Sequence, residues 1–127
     1  MDVLLTHSIH PELDLLCHEE IIKHGAYPSP INYAGFPKAI CTSINEVVCH
    51  GIPDSRELLH GDLLSIDVSL YIDGFHGDNC GTILLGDDGK DVVGTKLIRV
   101  TEDALIAGVK ACKPGACLSS IGRAIEV

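Results

Sequence analysis

Hydrophobic and polar residues alternate most regularly in residues 63–72 of the chain. From Leu64 onward the even positions of this segment are apolar, whereas the odd positions carry serine, aspartate and tyrosine. This period-two pattern predicts a half-buried β-strand. Asp73-Gly74 follows directly, and such a dipeptide is a strong signal for a two-residue hairpin turn. We therefore expect a return strand from about His76 to Leu85.

The N-terminal part of the chain predicts one helix and one interrupted strand. The helix is expected to begin at His10-Pro11-Glu12, where a proline and an acidic residue suit the first turn, and to end at Lys23-His24-Gly25. The prolines of residues 27–30 disfavour helical backbone in the residues before them, which predicts extended chain there. Residues 39–50 are rich in β-branched and apolar side chains and predict a strand, broken by the polar stretch 42–45.

The C-terminal part of the chain predicts a loop over residues 86–90 and then helices. An amphipathic helix is expected at roughly 93–112, closed by Lys113-Pro114-Gly115. The last segment, 118–127, starts another helix and carries no stop signal, so we expect a truncated chain. Together these elements predict an α+β fold, an antiparallel sheet with helices packed on one face, in a single partial domain over residues 1–127.

Length and charge exclude several classes of protein. A chain of 127 residues is long enough for one domain with a hydrophobic core. Its formal net charge of −9 argues against direct nucleic-acid binding, because phosphates require a basic surface. Neither a signal peptide nor a run of bilayer-spanning length occurs, so we expect a cytoplasmic protein without a membrane partner. A targeting extension preceding this start would instead direct it to an organelle.

The six cysteines include no CxxC pair and no arrangement typical of a structural zinc site. We therefore predict six reduced cysteines, most of them serving as small core residues.

Two aspartates, Asp67 and Asp78, lie on either side of the predicted turn. With Asp73-Gly74 as the loop, cross-strand partners have position numbers that sum to 147. Asp78 is then predicted to face Ser69, and Cys80 to face Asp67. The two carboxylates become diagonal neighbours on one face of the sheet, within reach of a shared ion.

Such a carboxylate pair has two interpretations. Two ionised carboxylates on one sheet face repel each other, and a divalent cation removes that conflict. On the hairpin alone, however, two solvated aspartates on an exposed face are the favoured interpretation, because exposed acidic residues are common. A β-bulge would also defeat the parity argument. The hairpin by itself therefore only suggests metal chemistry.

Between residues 27 and 78 the chain carries a series of long, ordered motifs. They are Tyr27-Pro28-Ser29-Pro30, Gly35-Phe36-Pro37-Lys38, Cys41-Thr42-Ser43-Ile44-Asn45-Glu46-Val47-Val48-Cys49-His50-Gly51-Ile52-Pro53-Asp54, Gly61-Asp62, Ile66-Asp67-Val68 and Asp73-Gly74-Phe75-His76-Gly77-Asp78. In this order and at this spacing they resemble the type 1 methionine aminopeptidases of the peptidase M24 family. The resemblance is strongest over residues 25–85 and continues more weakly through the following helices.

The resemblance implies the N-terminal half of a pita-bread fold, in which two pseudo-symmetric halves hold a dinuclear metal site. It implies metal-dependent hydrolytic removal of the initiator methionine from nascent proteins. Two divalent ions are implied, with cobalt, manganese, iron and zinc all open. The implied partners are nascent polypeptide N-termini, with the ribosome as a further candidate. Asp67 and Asp78 match the family's aspartate ligands, and His50 matches a histidine that contacts the substrate near the scissile amide.

The resemblance also implies a pocket for the methionine side chain. Tyr33 and Cys41 match positions that line it, and Phe36 stands where other members often carry an aromatic residue. An aromatic ring and a sulfur atom suit a thioether side chain. Taken without the resemblance, His50 beside a turn would be structural and Cys41 would be an ordinary core cysteine.

Other residues of metal-binding type receive no ligand role from the resemblance. Cys49, His76 and Cys80 are therefore disfavoured as ligands, and His76 is expected to be satisfied within the sheet. The family's remaining ligands, one histidine and two glutamates, have no match after Asp78, where the sequence contains no further histidine. We expect this chain alone to be inactive. A non-catalytic binding or regulatory module of the same fold is the alternative, and a proline-directed peptidase is disfavoured by the motif over residues 41–54.

Overall fold

The computed structural model of the chain describes residues 10–86 and 92–126. These two stretches belong to two separate compact units. The loop predicted over residues 86–90 lies outside the described residues apart from Gly86. The single partial domain predicted over residues 1–127 stays a prediction.

The first unit combines an antiparallel sheet with one helix. Its elements are α1 (His10–Lys23), β1 (Tyr27–Pro28), a short 3-10 helix (Tyr33–Gly35), β2 (Cys41–Ile44), β3 (Leu63–Ile72) and β4 (Phe75–Leu84). Helix α1 begins at the predicted residue, and β3 and β4 agree with their predicted limits to within one residue. The extended backbone predicted over residues 27–30 is a strand only in its first half, since residues 29 and 30 form a turn.

Strand β3 is the centre of the sheet because it pairs with all three other strands. Strand β4 pairs with it over its whole length, whereas β2 pairs with residues 64–67 and β1 with residues 70–71. The hairpin turn is the predicted one: Asp73 and Gly74 have φ angles of 51° and 91°. Positive φ at both central residues is what a two-residue hairpin turn of type I′ requires.

The core of the first unit lies on the even-numbered face of β3. Leu64 is fully buried and forms a cluster with Ile44, Leu58 and Leu85, against which Leu13 of α1 packs. Alternate side chains of a strand point to opposite faces. The odd-numbered side chains of β3 are therefore directed away from this core.

Strand β2 forms where the sequence predicts an interruption, so that prediction is wrong. Residues Cys41–Ile44 are all buried, and two of them carry hydroxyl groups. Oγ1 of Thr42 lies 2.7 Å from Nδ1 of His10, and Oγ of Ser43 accepts a hydrogen bond of 3.1 Å from the backbone N–H of Gly51. Polar groups that have such partners can be buried in a strand. The sequence pattern shows the polarity but not the partners.

The second unit is a pair of helices, α2 (Val92–Ala111) and α3 (Ser119–Ile125), close to the predicted ranges. They approach each other at Gly108, where an added Cβ would lie 3.1 Å from the Cδ1 atom of Ile125. The absence of a side chain at this buried glycine therefore permits the close contact. Within the described residues, no helix is long and apolar enough to cross a membrane.

All six cysteines are free, as predicted, but the expectation that most of them lie in the core is wrong. Only Cys41 is buried, Cys17 is half-buried, and the other four are exposed. Cys49 follows β2 in a loop, and Cys80 lies on β4, whose residues are almost all exposed. The small apolar character of cysteine thus does not decide its position here.

Candidate functional site

An open cavity of about 720 Å³ lies over the odd-numbered face of β3. Its walls come from the loop between β1 and β2, from the loop after β2 and from the β3–β4 hairpin. It is lined by all six residues that the sequence predicts as site residues: Tyr33, Phe36, Cys41, His50, Asp67 and Asp78. The fold thus brings together residues from four separate motifs.

Asp67 and Asp78 lie on the same face of the hairpin, as the parity of the turn predicts. Asp78 pairs with Ser69, and Cys80 pairs with Asp67. The hydroxyl of Ser69 donates a hydrogen bond of 2.5 Å to Oδ1 of Asp78. Burial raises the pKa of Asp67; the charge of Asp78 and a hydrogen bond between the two carboxyl groups raise it further, whereas His50 lowers it. The two carboxyl groups are therefore close enough to interact directly.

Two cysteines flank Asp67 on the neighbouring strands. Cys41 on β2 and Cys80 on β4 are both its register partners. Burial raises the pKa of each thiol, and the nearby carboxylates raise it further. Because an ordinary cysteine titrates above neutral pH, both groups remain thiols at pH 7 in the metal-free chain. They border the carboxylate pair as uncharged, polarisable surfaces.

The carboxylate pair fits a divalent cation as a partial set of ligands. Carboxylate oxygens are the donors that hard divalent ions prefer, and a cation relieves the repulsion between two such groups. Within residues 10–86 and 92–126, no group of three or more histidine, cysteine, aspartate or glutamate side chains could hold a metal. Asp67 and Asp78 would thus contribute two ligands rather than a complete site.

His50 reaches the cavity from a loop that is pressed against β2. The N–H of Thr42 donates to the carbonyl oxygen of Gly51 at 2.9 Å, and the N–H of Gly51 donates to Oγ of Ser43 at 3.1 Å. A Cβ at Gly51 would lie only 2.2 Å from the carbonyl oxygen of Thr42. His50 itself has a φ of 55°, which residues other than glycine adopt rarely. Contacts to β2 therefore hold a strained backbone in the position that exposes the imidazole.

A buried carboxylate anchors the same loop to the start of β3. Arg56 donates two hydrogen bonds of 2.7 and 3.0 Å to Asp62, and the side-chain amide of Asn45 donates a third of 2.9 Å. The N–H of Leu59 donates a fourth, also of 2.9 Å. Hydrogen bonds from Arg56 above all hold the pKa of the Asp62 carboxyl far below its usual range. Asp62 thus joins three parts of the segment between β2 and β3.

The opposite wall of the cavity is anchored by α1. Oδ1 of Asp14 accepts hydrogen bonds from the N–H groups of Ala39 and Ile40 at 2.7 and 3.2 Å, and its Oδ2 lies 3.5 Å from Nζ of Lys38. This contact fixes the end of the loop that carries Tyr33, whose side chain is exposed. The C-terminal end of the loop that forms the aromatic wall is thereby attached to α1.

Three polar residues of the cavity are not among the predicted site residues: Ser29, Ser69 and His76. The turn parity that places Asp78 opposite Ser69 also places Ser69 and His76 on the face of the carboxylates. The sequence therefore contains the information needed to predict these two residues. Ser29 could not be found in this way, because its position depends on the pairing of β1 with β3.

The sheet, with its paired carboxylates beside an open cavity, matches a class of metal-dependent peptidases. Residues 6–127 match the model of metallopeptidase family M24. The chain belongs to this family, and membership implies the use of a divalent metal.

Within the family, the chain is similar to methionine aminopeptidases. It is 53% identical over 116 residues to the mitochondrial methionine aminopeptidase 1D of Dictyostelium discoideum, covering 91% of this chain and 28% of that protein. It is 51% identical over 115 residues to human mitochondrial methionine aminopeptidase 1D, covering 91% of this chain and 34% of that protein. The predicted resemblance is confirmed, and the chain spans about a third of the length of these relatives.

Solved structures agree with the predicted fold. The crystal structure of methionine aminopeptidase from Rickettsia prowazekii superposes with a TM-score of 0.92 at 44% identity, covering 98% of this chain and 50% of that one. The methionine aminopeptidase of Thermotoga maritima gives a TM-score of 0.86 at 31% identity, covering 93% and 47%. The α+β fold of an N-terminal half is therefore confirmed.

Proposed function

We propose that this chain forms the N-terminal part of a methionine aminopeptidase, a metal-dependent hydrolase that removes the initiator methionine from nascent proteins. One observation carries the proposal: the carboxylate pair, His50 and the Tyr33–Cys41 wall line the same cavity. The names of the similar proteins support it.

In this proposal Asp67 and Asp78 would hold two divalent ions through their carboxylate oxygens. Cobalt, manganese, iron and zinc are all compatible with such donors. When bound, such ions would supply Lewis acidity and lower the pKa of water at this site. The hydroxyl of Ser69 orients the carboxylate of Asp78. The resemblance implies three further ligands, and residues after Asp78 offer no match for them.

The other predicted residues recognise the substrate. His50, on its strained loop, hydrogen-bonds the substrate near the scissile amide as charge develops there. Tyr33, Phe36 and Cys41 accommodate the methionine side chain, whose thioether suits aromatic and sulfur surfaces. This arrangement places a donor for the reacting amide and an apolar wall for the side chain at one cavity.

The proposed partners are the N-termini of nascent polypeptides. The ribosome, where these N-termini emerge, is a further candidate partner. The net charge of −9 supports the absence of direct nucleic-acid binding. Six free cysteines support a reducing compartment, which we take to be the cytoplasm. The similar proteins are named mitochondrial and chloroplastic, and a reducing compartment of such an organelle is the alternative location.

Manganese binding tests the ligand pair without requiring activity. We expect the isolated chain to bind Mn²⁺ weakly, measured by electron paramagnetic resonance, because two carboxylates leave most of the coordination shell to water. Asp67→Asn and Asp78→Asn should each abolish the signal change. Asp103→Asn, at an exposed position of α2, is the matched control and should leave it intact. Equal binding by all three variants would contradict the assignment of the ligands.

Methionine release tests the function itself. We expect the isolated chain to release no methionine from Met-Ala-Ser in the presence of Mn²⁺. A chimera that joins this chain to the remaining half of the Rickettsia prowazekii enzyme should release it, and Asp67→Asn in that chimera should reduce release to background. A folded chimera without activity would refute the proposal. If it still bound the peptide, a non-catalytic binding module would be the better explanation.

A further inference from the structure

His76 is a second histidine at the cavity, and the proposed function gives it no role. It is the second residue of β4, its side chain is exposed, and it lines the cavity. In the hairpin register it pairs with Tyr71 and therefore shares a face with Asp78. A histidine on this face lies beside the space that a bound peptide would fill.

Two contacts fix the orientation of the His76 ring. Its Nδ1 lies 2.9 Å from Oγ of Ser29, and its ring centroid lies 4.9 Å from that of Tyr71 at an interplanar angle of 51°. Ser29 is itself held in place, because its backbone N–H donates to the carbonyl oxygen of Ser69 at 3.0 Å. The imidazole is therefore anchored from the turn after β1 and from β3 before any ligand arrives.

These contacts leave one nitrogen of His76 for a ligand. Nδ1 is engaged by Ser29, and within the described residues Nε2 makes no hydrogen bond. The two carboxyl groups of Asp67 and Asp78 disfavour an anionic ligand nearby. A neutral main-chain group of a peptide is the chemistry that suits an oriented imidazole in this setting.

The spacing along β4 relates His76 to a particular part of the peptide. Two residues along a strand cover about 7 Å, so His76 stands about that far from Asp78. Two residues of an extended peptide cover a similar distance. A peptide whose first residue reaches the carboxylate pair would therefore bring later main-chain groups level with His76.

We propose that the imidazole of His76 forms a hydrogen bond with a main-chain group of the substrate peptide, beyond the peptide's first residue. Ser29 positions the imidazole ring for this contact. The proposal rests on the proposed function. It predicts that His76 matters for peptides and not for methionine derivatives that lack a second residue.

Two ligands of different length test this proposal on the isolated chain. Binding of methioninamide and of Met-Ala-Ser-amide is measured by NMR titration, with the ring signals of Tyr33 and Phe36 as reporters. His76→Phe keeps an aromatic ring against Tyr71 but removes both nitrogens. We expect it to bind the tripeptide about threefold to tenfold more weakly, as for the loss of one neutral hydrogen bond. Its affinity for methioninamide should change less than twofold.

Variants of Ser29 separate positioning from general damage. Ser29→Ala should weaken tripeptide binding and change the tautomer signature of His76 in long-range ¹H–¹⁵N spectra. Ser29→Thr keeps a hydroxyl group and should retain the affinity and the tautomer signature of the unaltered chain. Ser65→Ala is the matched control: it removes a hydroxyl pair of 2.8 Å with Thr82 on the same sheet face and should leave both affinities unchanged.

The outcomes distinguish the two proposals. If His76→Phe weakens both ligands equally, or neither, the role of His76 is refuted while the proposed function stands. If the unaltered chain binds neither ligand, the proposed substrate is wrong and the role of His76 falls with it.

Discussion

The β3–β4 hairpin and the two loops that wall the cavity are held in different ways. In the hairpin every residue from Leu63 to Ile72 has a partner on β4, so many similar contacts stabilise it together. Each loop depends on a few individual contacts: Asp14 holds one loop, and the packing of Gly51 against β2 holds the other. The carboxylate end of the cavity is thus redundantly supported, whereas the walls formed by the two loops rely on individual residues.

This difference has a physical cause. A strand ladder repeats one hydrogen-bond pattern, and the loss of one pair leaves its neighbours in place. A loop without regular structure must compensate the entropy of ordering its backbone through specific contacts. Strained positions such as His50 persist only where the surroundings enforce them. Substitutions in the loops should therefore cost more than similar substitutions in the hairpin.

Gly51→Ala should have the largest effect. The added methyl group would meet the carbonyl oxygen of Thr42 at 2.2 Å, so the loop must move off β2 and both of its backbone contacts must break. We expect the free energy of unfolding to fall by about 3 kcal/mol, measured by urea denaturation. Gly81→Ala on β4 is the control, because nothing lies within 4 Å of its added Cβ. A similar loss at both positions would contradict the comparison.

Asp62→Asn should have the next largest effect. It removes the charge that Arg56 and two further donors stabilise, and we expect a loss of about 2 kcal/mol. This is less than for a fully buried ion pair, because the Arg56 side chain is 40% exposed.

The effect of Asp62 should also depend on pH in a defined direction. Folding lowers the pKa of its carboxyl group, so the stability it contributes is present above the ordinary aspartate pKa of about 3.9 and is lost as the pH falls towards the folded-state pKa. The difference in unfolding free energy between the unaltered chain and Asp62→Asn should be constant from about pH 5 to 8 and smaller near pH 3.

The difference between the regular hairpin and the loops also explains which parts of the fold the sequence could predict. The alternation in β3, the Asp73-Gly74 turn and the limits of α1 and α2 are local signals, and each of those predictions is confirmed. The position of strand β2 is predicted wrongly because its polar side chains find their partners outside the strand: His10 for Thr42, and Gly51 for Ser43. No local pattern reports such contacts.

For the candidate site, the hairpin parity placed both carboxylates on one face without any knowledge of the tertiary structure. The resemblance selected His50, Tyr33, Phe36 and Cys41, all of which line the cavity. The contacts that hold these residues were not predictable, since Asp14 meets the loop through backbone N–H groups that no side-chain pattern marks.

A pair of serines offers the closest comparison of the two regions. Ser43 and Ser65 are direct register partners on β2 and β3, so they share a sheet face. The hydroxyl of Ser43 accepts the N–H of Gly51 and is part of the loop anchor, whereas that of Ser65 pairs with Thr82 in the hairpin. Ser43→Ala leaves a backbone N–H unpaired beside a buried strand, and we expect it to cost about 1.5 kcal/mol.

Ser65→Ala removes only one accessible cross-strand pair and should cost about 0.5 kcal/mol or less. Urea denaturation of both variants measures the difference, and hydrogen exchange at Gly51 shows where it arises. Faster exchange at Gly51 in Ser43→Ala alone is the expected result, because this amide then loses its acceptor. Equal losses of stability in the two variants, with Gly51 exchanging at an unchanged rate, would mean that the loop is no more dependent on individual contacts than the hairpin is.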